Sequence, residues 1–169
     1  MHQDSYHGVE HRHTAADARG ALDRLLAAQR DRPGALLPVL HAIQDAAGHV
    51  PSEAIPAIAR ALRLSRAEVH GVITFYPHFR RHPPGRHVVQ ICQAEACQSM
   101  GAVALTAHAE KRLGAKLHET SADRAFTVEA VYCLGNCALS PAIMIDGALH
   151  GRLTPSRFDQ IVAGLDGAK

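Results

Sequence analysis

Tryptophan is missing from this chain of 169 residues, aromatic side chains make up only 4% of it, and 18 Lys and Arg nearly balance 16 Asp and Glu. A formal charge of +2 leaves no electrostatic footprint for a phosphate backbone. Seven aromatic rings supply few platforms for base stacking, so nucleic-acid binding is set aside as a role. No apolar run approaches the length of a bilayer-crossing helix, which predicts a protein without a membrane span. The opening residues MHQDSYHGVEHRH lack the apolar core of a secretory signal. The expectation is a cytoplasmic protein whose thiols stay reduced, available for metal or redox chemistry rather than a disulfide framework. Catalytic motifs are lacking as well. There is no G-x-G-x-x-G after a strand, no G-x-x-x-x-G-K followed by Ser or Thr, no G-x-S-x-G and no H-E-x-x-H. The chain therefore shows no place of its own for a nicotinamide, a flavin or a nucleotide.

What is present falls into two textures. Residues 1–13 hold His2, His7, His11 and His13 without ligand order and are expected to be a mobile, solvated, His-rich tail. From residue 14 to about 80 the periodicity is helical. Thr14 to Asp17 resembles a capping box ahead of Leu22, Leu25 and Leu26, and Arg32-Pro33-Gly34 ends that helix. Leu36, Leu40, Ile43 and Ala47 line a second helix stopped at Gly48. Ser52 is placed as the cap of a third helix, with Ile55, Ile58, Ala59 and Leu62 inside. Ser65 and Glu68 form a capping box for a fourth, which carries Val69, Val72, Ile73 and Tyr76. His70 reads as an ordinary helix histidine.

The stretch RRHPPG around residues 80–85 breaks this pattern, and the second part, 86–169, reads differently. Strands are predicted over 87–91, 126–132 and 142–146, with a turn at Asp146-Gly147 and a returning strand over 148–153. One helix is predicted over 98–113, ended by Gly114. Another starts at Thr154 or Ser156, with Phe158, Ile161, Val162 and Leu165 inside. The expected class is α/β: an N-terminal helical bundle followed by a small α/β layer of thioredoxin-like order.

Four cysteines, the full complement, fall in two pairs: Cys92 and Cys97 in ICQAEACQSMG, Cys133 and Cys137 in VYCLGNCALSP. Each pair follows an apolar run, so adjacent strands of one sheet would deliver all four to one edge. Four thiolates suffice for a 2Fe-2S centre, two on each iron. Amides at a helix start after Cys97 and in the tight loop at Gly135 and Asn136 would favour the negative charge of such a centre. A four-cysteine zinc site stays open at this point, although neither pair has the C-x-x-C form usual in zinc knuckles. A thiol oxidoreductase would need a C-x-x-C at a helix start, which is missing.

ICQAEACQSMG together with VYCLGNCALSPAIMIDG resembles the thioredoxin-like 2Fe-2S ferredoxin family, which includes the small NADH-module subunits of respiratory complex I and of NAD-reducing hydrogenases. The likeness is strongest to the gamma subunits of NAD-dependent, molybdenum-containing formate dehydrogenases. LLPVLHAIQDAAGHVP and the helix through GVITFYPHF extend it into the N-terminal part. The resemblance implies that Cys92, Cys97, Cys133 and Cys137 are the cluster ligands and that Gly135 is the glycine of a C-L-G-x-C loop. It also implies an electron-transfer subunit without an active site of its own, exchanging single electrons with FMN. The FMN and NAD would be held by a flavin subunit docked on the helices of 14–80. Further iron-sulfur clusters and a molybdenum cofactor would sit on partner subunits. Relatives often carry glycine where Arg124 follows Asp123 here. Outside this family, the alternative is a zinc-stabilised adaptor.

Overall fold

The computed structural model describes residues 15–29 and 32–166. The His-rich stretch 1–13 and the Thr14 cap lie outside the described residues. The chain divides between Pro83 and Pro84 into two compact units.

Among the described residues the first unit holds four α-helices, α1 (Ala15–Gln29), α2 (Leu36–Ala47), α3 (Ile55–Leu62) and α4 (Arg66–Phe75). Helix α2 buries Val39, Leu40, Ile43 and Gln44, a spacing that places them on one face, and its end is closed by the Gly48 amide donating to the Gln44 carbonyl. Gln44 is polar and buried, yet both ends of its amide are paired. Its Nε2 donates to the His78 carbonyl at 2.8 Å, and its Oε1 accepts from the Arg80 amide at 2.7 Å. These two bonds pin the segment after α4 onto α2. The Ser65 and Glu68 capping box forms as expected. Ser65, however, is the only one of the two predicted serine caps that acts as one. Ser52 opens a 3-10 turn, Ser52–Ala54, and its hydroxyl donates to the Glu53 carboxylate. Pro51 and Pro56 bracket this segment, and α3 follows Ala54 without a side-chain cap. Tyr76 lies just past α4 in extended backbone and is not part of the helix. Leu26, Val39, Leu40, Ile43, Val50, Ile58, Val69, Ile73 and Phe79 form the core of this unit.

The second unit is a five-stranded mixed sheet in the order β2-β3-β1-β4-β5. Its strands are β1 (His87–Cys92), β2 (Glu119–Thr120), β3 (Phe126–Val131), β4 (Ile143–Ile145) and β5 (Ala148–His150). Its helices are α5 (Glu95–Ser99), α6 (Ala102–Leu113) and α7 (Pro155–Asp166). The central strand β1 pairs in parallel with β3 and antiparallel with β4, with Val89 opposite both Val128 and Ile145. Side chains alternate along a strand, so Val89, Ile91 and Val128 share the face on which Leu105, Ala109 and Leu113 of α6 and Phe158 and Val162 of α7 pack. The core of this unit lies between that face and the two helices.

Three features of this unit depart from expectation. The single helix predicted over 98–113 is two helices, broken where Gly101 adopts φ 96°, a left-handed conformation that glycine enters without steric cost. An edge strand, β2, was not expected: it has two residues, both exposed and polar, and carries no hydrophobic pattern. The returning strand ends at His150 rather than 153, because the chain turns away at Arg152, whose φ is 52°.

Candidate functional site

Strands β1 and β3 run parallel, and their last residues, Cys92 and Val131, are register partners. Both strands therefore leave the sheet at one end. Cys92 is the final residue of β1, and Cys133 follows β3 by two residues. The sheet topology alone brings one member of each cysteine pair to a common pole.

The first pair is buried and the second exposed. Cys92 and Cys97 are each 2% accessible and pack with Ala102 and Ala142, while Ala94, Val131 and Leu134 close in around them. These neighbours are mostly small and all apolar. The loop between the two cysteines is clasped through Gln93. Its amide N–H donates to the Val131 carbonyl at 2.7 Å, its side chain donates to Thr106 Oγ1 at 2.9 Å, and its carbonyl accepts from the Gln98 side chain at 2.7 Å. Cys97 lies inside the five-residue helix α5, not ahead of a long one, so the amides expected from a helix start come from elsewhere. The second pair is close: Cys133 Sγ and Cys137 Sγ are 3.9 Å apart. Cys133 stands at φ 102°, and Gly135, at φ 73°, turns its amide back to donate to Cys133 Sγ at 3.4 Å. Cys137 opens the 3-10 turn Cys137–Leu139.

The electrostatics join the two pairs. Burial alone would push the Cys92 thiol up, but hydrogen bonds from the Ala94 amide, the Cys97 thiol and the amides of Leu134 and Cys133 outweigh it and hold Cys92 below the ordinary thiol range. Cys137 moves the other way. Its hydrogen bond with the Cys133 thiol and the negative charge of Cys133 raise it, helped by some desolvation and by the charges of Cys97 and Cys92. All four sulfurs thus share one electrostatic neighbourhood, in which bare thiolates repel and backbone amides stabilise negative charge. Among the described residues, no three His, Cys, Asp or Glu side chains form a group that could hold one metal ion. Two pairs facing a common space, ringed by amides and small apolar residues, fit a two-iron cluster with two ligands per iron.

One residue here was not singled out from the sequence. Ser140 is buried; its hydroxyl donates to the Cys137 carbonyl at 2.7 Å and its Oγ lies 3.6 Å from Cys97 Sγ, so it touches both pairs. The only advance signal was its place three residues after Cys137.

The thioredoxin-like 2Fe-2S ferredoxin family matches residues 22–166. A subunit of the NADH-quinone oxidoreductase of Pseudomonas aeruginosa is 37% identical over 137 residues, covering 81% of this chain and 82% of the relative. The corresponding subunit from Escherichia coli K12 is 35% identical over 162 residues, covering 96% and 98%. Among solved structures, an NAD+-reducing NiFe-hydrogenase in its H2-reduced state aligns with a TM-score of 0.66 at 26% identity over 83% of this chain, which spans only 23% of that hydrogenase chain. The family match takes in all four cysteines and most of both units, and the chain belongs to the thioredoxin-like 2Fe-2S ferredoxin family, whose cofactor is a 2Fe-2S cluster.

Proposed function

We propose that Cys92, Cys97, Cys133 and Cys137 hold the cluster and that the chain is the electron-transfer subunit of an NAD-dependent, molybdenum-containing formate dehydrogenase. It exchanges single electrons with FMN on a partner subunit. The observation that carries the cluster assignment is that the parallel strands β1 and β3 end together and bring one member of each cysteine pair to one pole of the sheet. The cluster supplies one-electron redox chemistry. The chain supplies four sulfurs, amides that stabilise their charge, and a buried first pair that keeps water from one side. With no nucleotide or flavin motif, it works as a relay component of an oxidoreductase. The flavin subunit that binds FMN and NAD docks on residues 14–80, formate is oxidised at a molybdenum cofactor on a third subunit, and further clusters sit on the partner subunits. The assembly works in the cytoplasm; among the described residues no helix is long and apolar enough to cross a membrane.

The formate reading is supported by QAEACQSMG and GNCALSP around the cysteines. A second reading, the equivalent subunit of complex I or of an NAD-reducing hydrogenase, is favoured by the names of the relatives that align over most of the chain. Affinity purification of the native complex through this chain decides between them. Molybdenum in a co-purifying large subunit, with formate-dependent NAD reduction, is the expected result. Nickel with hydrogen-dependent activity, or a membrane-bound quinone reductase, would replace it with the second reading.

A further inference from the structure

We propose that Gly151 is a positioning residue for the cluster, the seat against which the turn carrying Cys137 rests. This inference rests on the four-cysteine assignment above. Gly151 follows β5 directly, and the segment from Asn136 to Leu139 packs onto it. A β-carbon built at Gly151 would lie 2.7 Å from Leu139 Cβ, 2.8 Å from the Leu139 carbonyl oxygen and 2.7 Å from Asn136 Nδ2. Those separations are far inside van der Waals contact. Two of the three opposing atoms are a backbone oxygen and a β-carbon, which no rotamer change can remove. Gly151 is not among the glycines with positive φ, so its backbone suits other residues. What the position demands is a missing side chain.

Neither side of the contact is free to retreat. After Gly151, the Arg152 amide donates to the Leu139 carbonyl at 2.6 Å and the Leu153 amide to the Pro141 carbonyl at 3.1 Å, while the Leu153 side chain is buried in the core. Across the contact, the Leu139 amide donates to the Asn136 carbonyl at 3.0 Å and the Ser140 amide to the Cys137 carbonyl at 3.3 Å. Ser140 Oγ in turn sits on Cys97 Sγ. The Cys137 turn is therefore held between the exit of β5 and the first cysteine pair. A methyl group at position 151 has to displace the turn, and with it Cys137 relative to Cys133 and Cys97.

The test uses the full chain, as Gly151→Ala beside Gly164→Ala, a control whose added β-carbon meets nothing within 4 Å. Readouts are the electron paramagnetic resonance spectrum of the reduced protein, iron release to a chelator, and far-UV circular dichroism. Gly151→Ala is expected to keep its folded signal, to shift the resonance spectrum and to release iron about tenfold faster, the scale on which residues supporting metal ligands act. Gly164→Ala is expected to match the wild type. A folded Gly151→Ala protein with wild-type spectrum and release rate overturns the proposal. So does one that loses the folded signal, since the glycine would then serve the fold at large. Failure of the underlying assignment looks different: the wild-type chain itself would show no cluster signal, or Cys137→Ala would retain full iron.

Discussion

Cys133 stands at φ 102°, a region that side-chain-bearing residues rarely enter and that costs on the order of 1–3 kcal/mol when they do. Two residues later the left-handed backbone of Gly135 returns an amide to the Cys133 sulfur. Gly135 stands at φ 73°, so Gly135→Ala forces a side chain into a left-handed backbone. It should lower the unfolding free energy by about 1 kcal/mol, measured by chemical denaturation. Gly151 is the reverse case, unstrained and crowded, and the two glycines separate backbone freedom from close approach within one loop system. At the proposed ligands, replacing any one of Cys92, Cys97, Cys133 or Cys137 by alanine should remove most of the iron, because the chain has no fifth cysteine to recruit. Serine variants should retain a little. Iron per chain measured on each variant checks this, and full iron in Cys133→Ala would remove that residue from the ligand set.

Among the elements, helix α4 depends on a cap that can be tested alone. Ser65→Ala removes the hydroxyl that accepts from the Glu68 amide and should cost about 1 kcal/mol. The Glu68 carboxylate is held below its ordinary range by the Ser65 amide first and the Ser65 hydroxyl second. A carboxylate lowered on folding stabilises above its unfolded pKa, and that stabilisation fades as the pH falls through the folded value. The melting temperature of the wild type should therefore exceed that of Glu68→Gln at pH 7, with the gap closing as the pH falls through the folded value of that carboxylate. This cap was legible in the sequence because it is local: the side chains of Ser65 and Glu68 each bond to the other's backbone amide, three residues away. Strands β1 and β3 were legible for a similar reason, as apolar runs bounded by charged and turn residues. The break at Gly101 was not, since helix-forming residues surround a single glycine. Nor was the failure of Ser52 as a cap, which follows from a 3-10 turn after Pro51. At the site, the pairing of the four cysteines points to strand ends, and β1 and β3 do end together there. Ser140 and Gly151 could not be read from the sequence, because each acts through a contact made only after the chain returns from another strand.

For the whole molecule, the division at Pro83–Pro84 leaves all four cysteines in the second unit, which has its own apolar core. A chain beginning near Arg86 should assemble the cluster yet fail to capture the flavin subunit in a pull-down. Retained capture would move the docking surface to the cluster unit, and loss of the cluster would make the helices part of its fold. The full chain by itself should neither oxidise formate nor reduce NAD. Whether the four cysteines carry a redox-active cluster is decided by the visible spectrum of the purified full-length protein before and after chemical reduction, with iron, acid-labile sulfide and zinc quantified on the same sample. The expected result is a red-brown protein with two iron and two sulfide per chain, as a 2Fe-2S centre requires, that bleaches on taking up one electron. A colourless protein carrying stoichiometric zinc and no sulfide would contradict it.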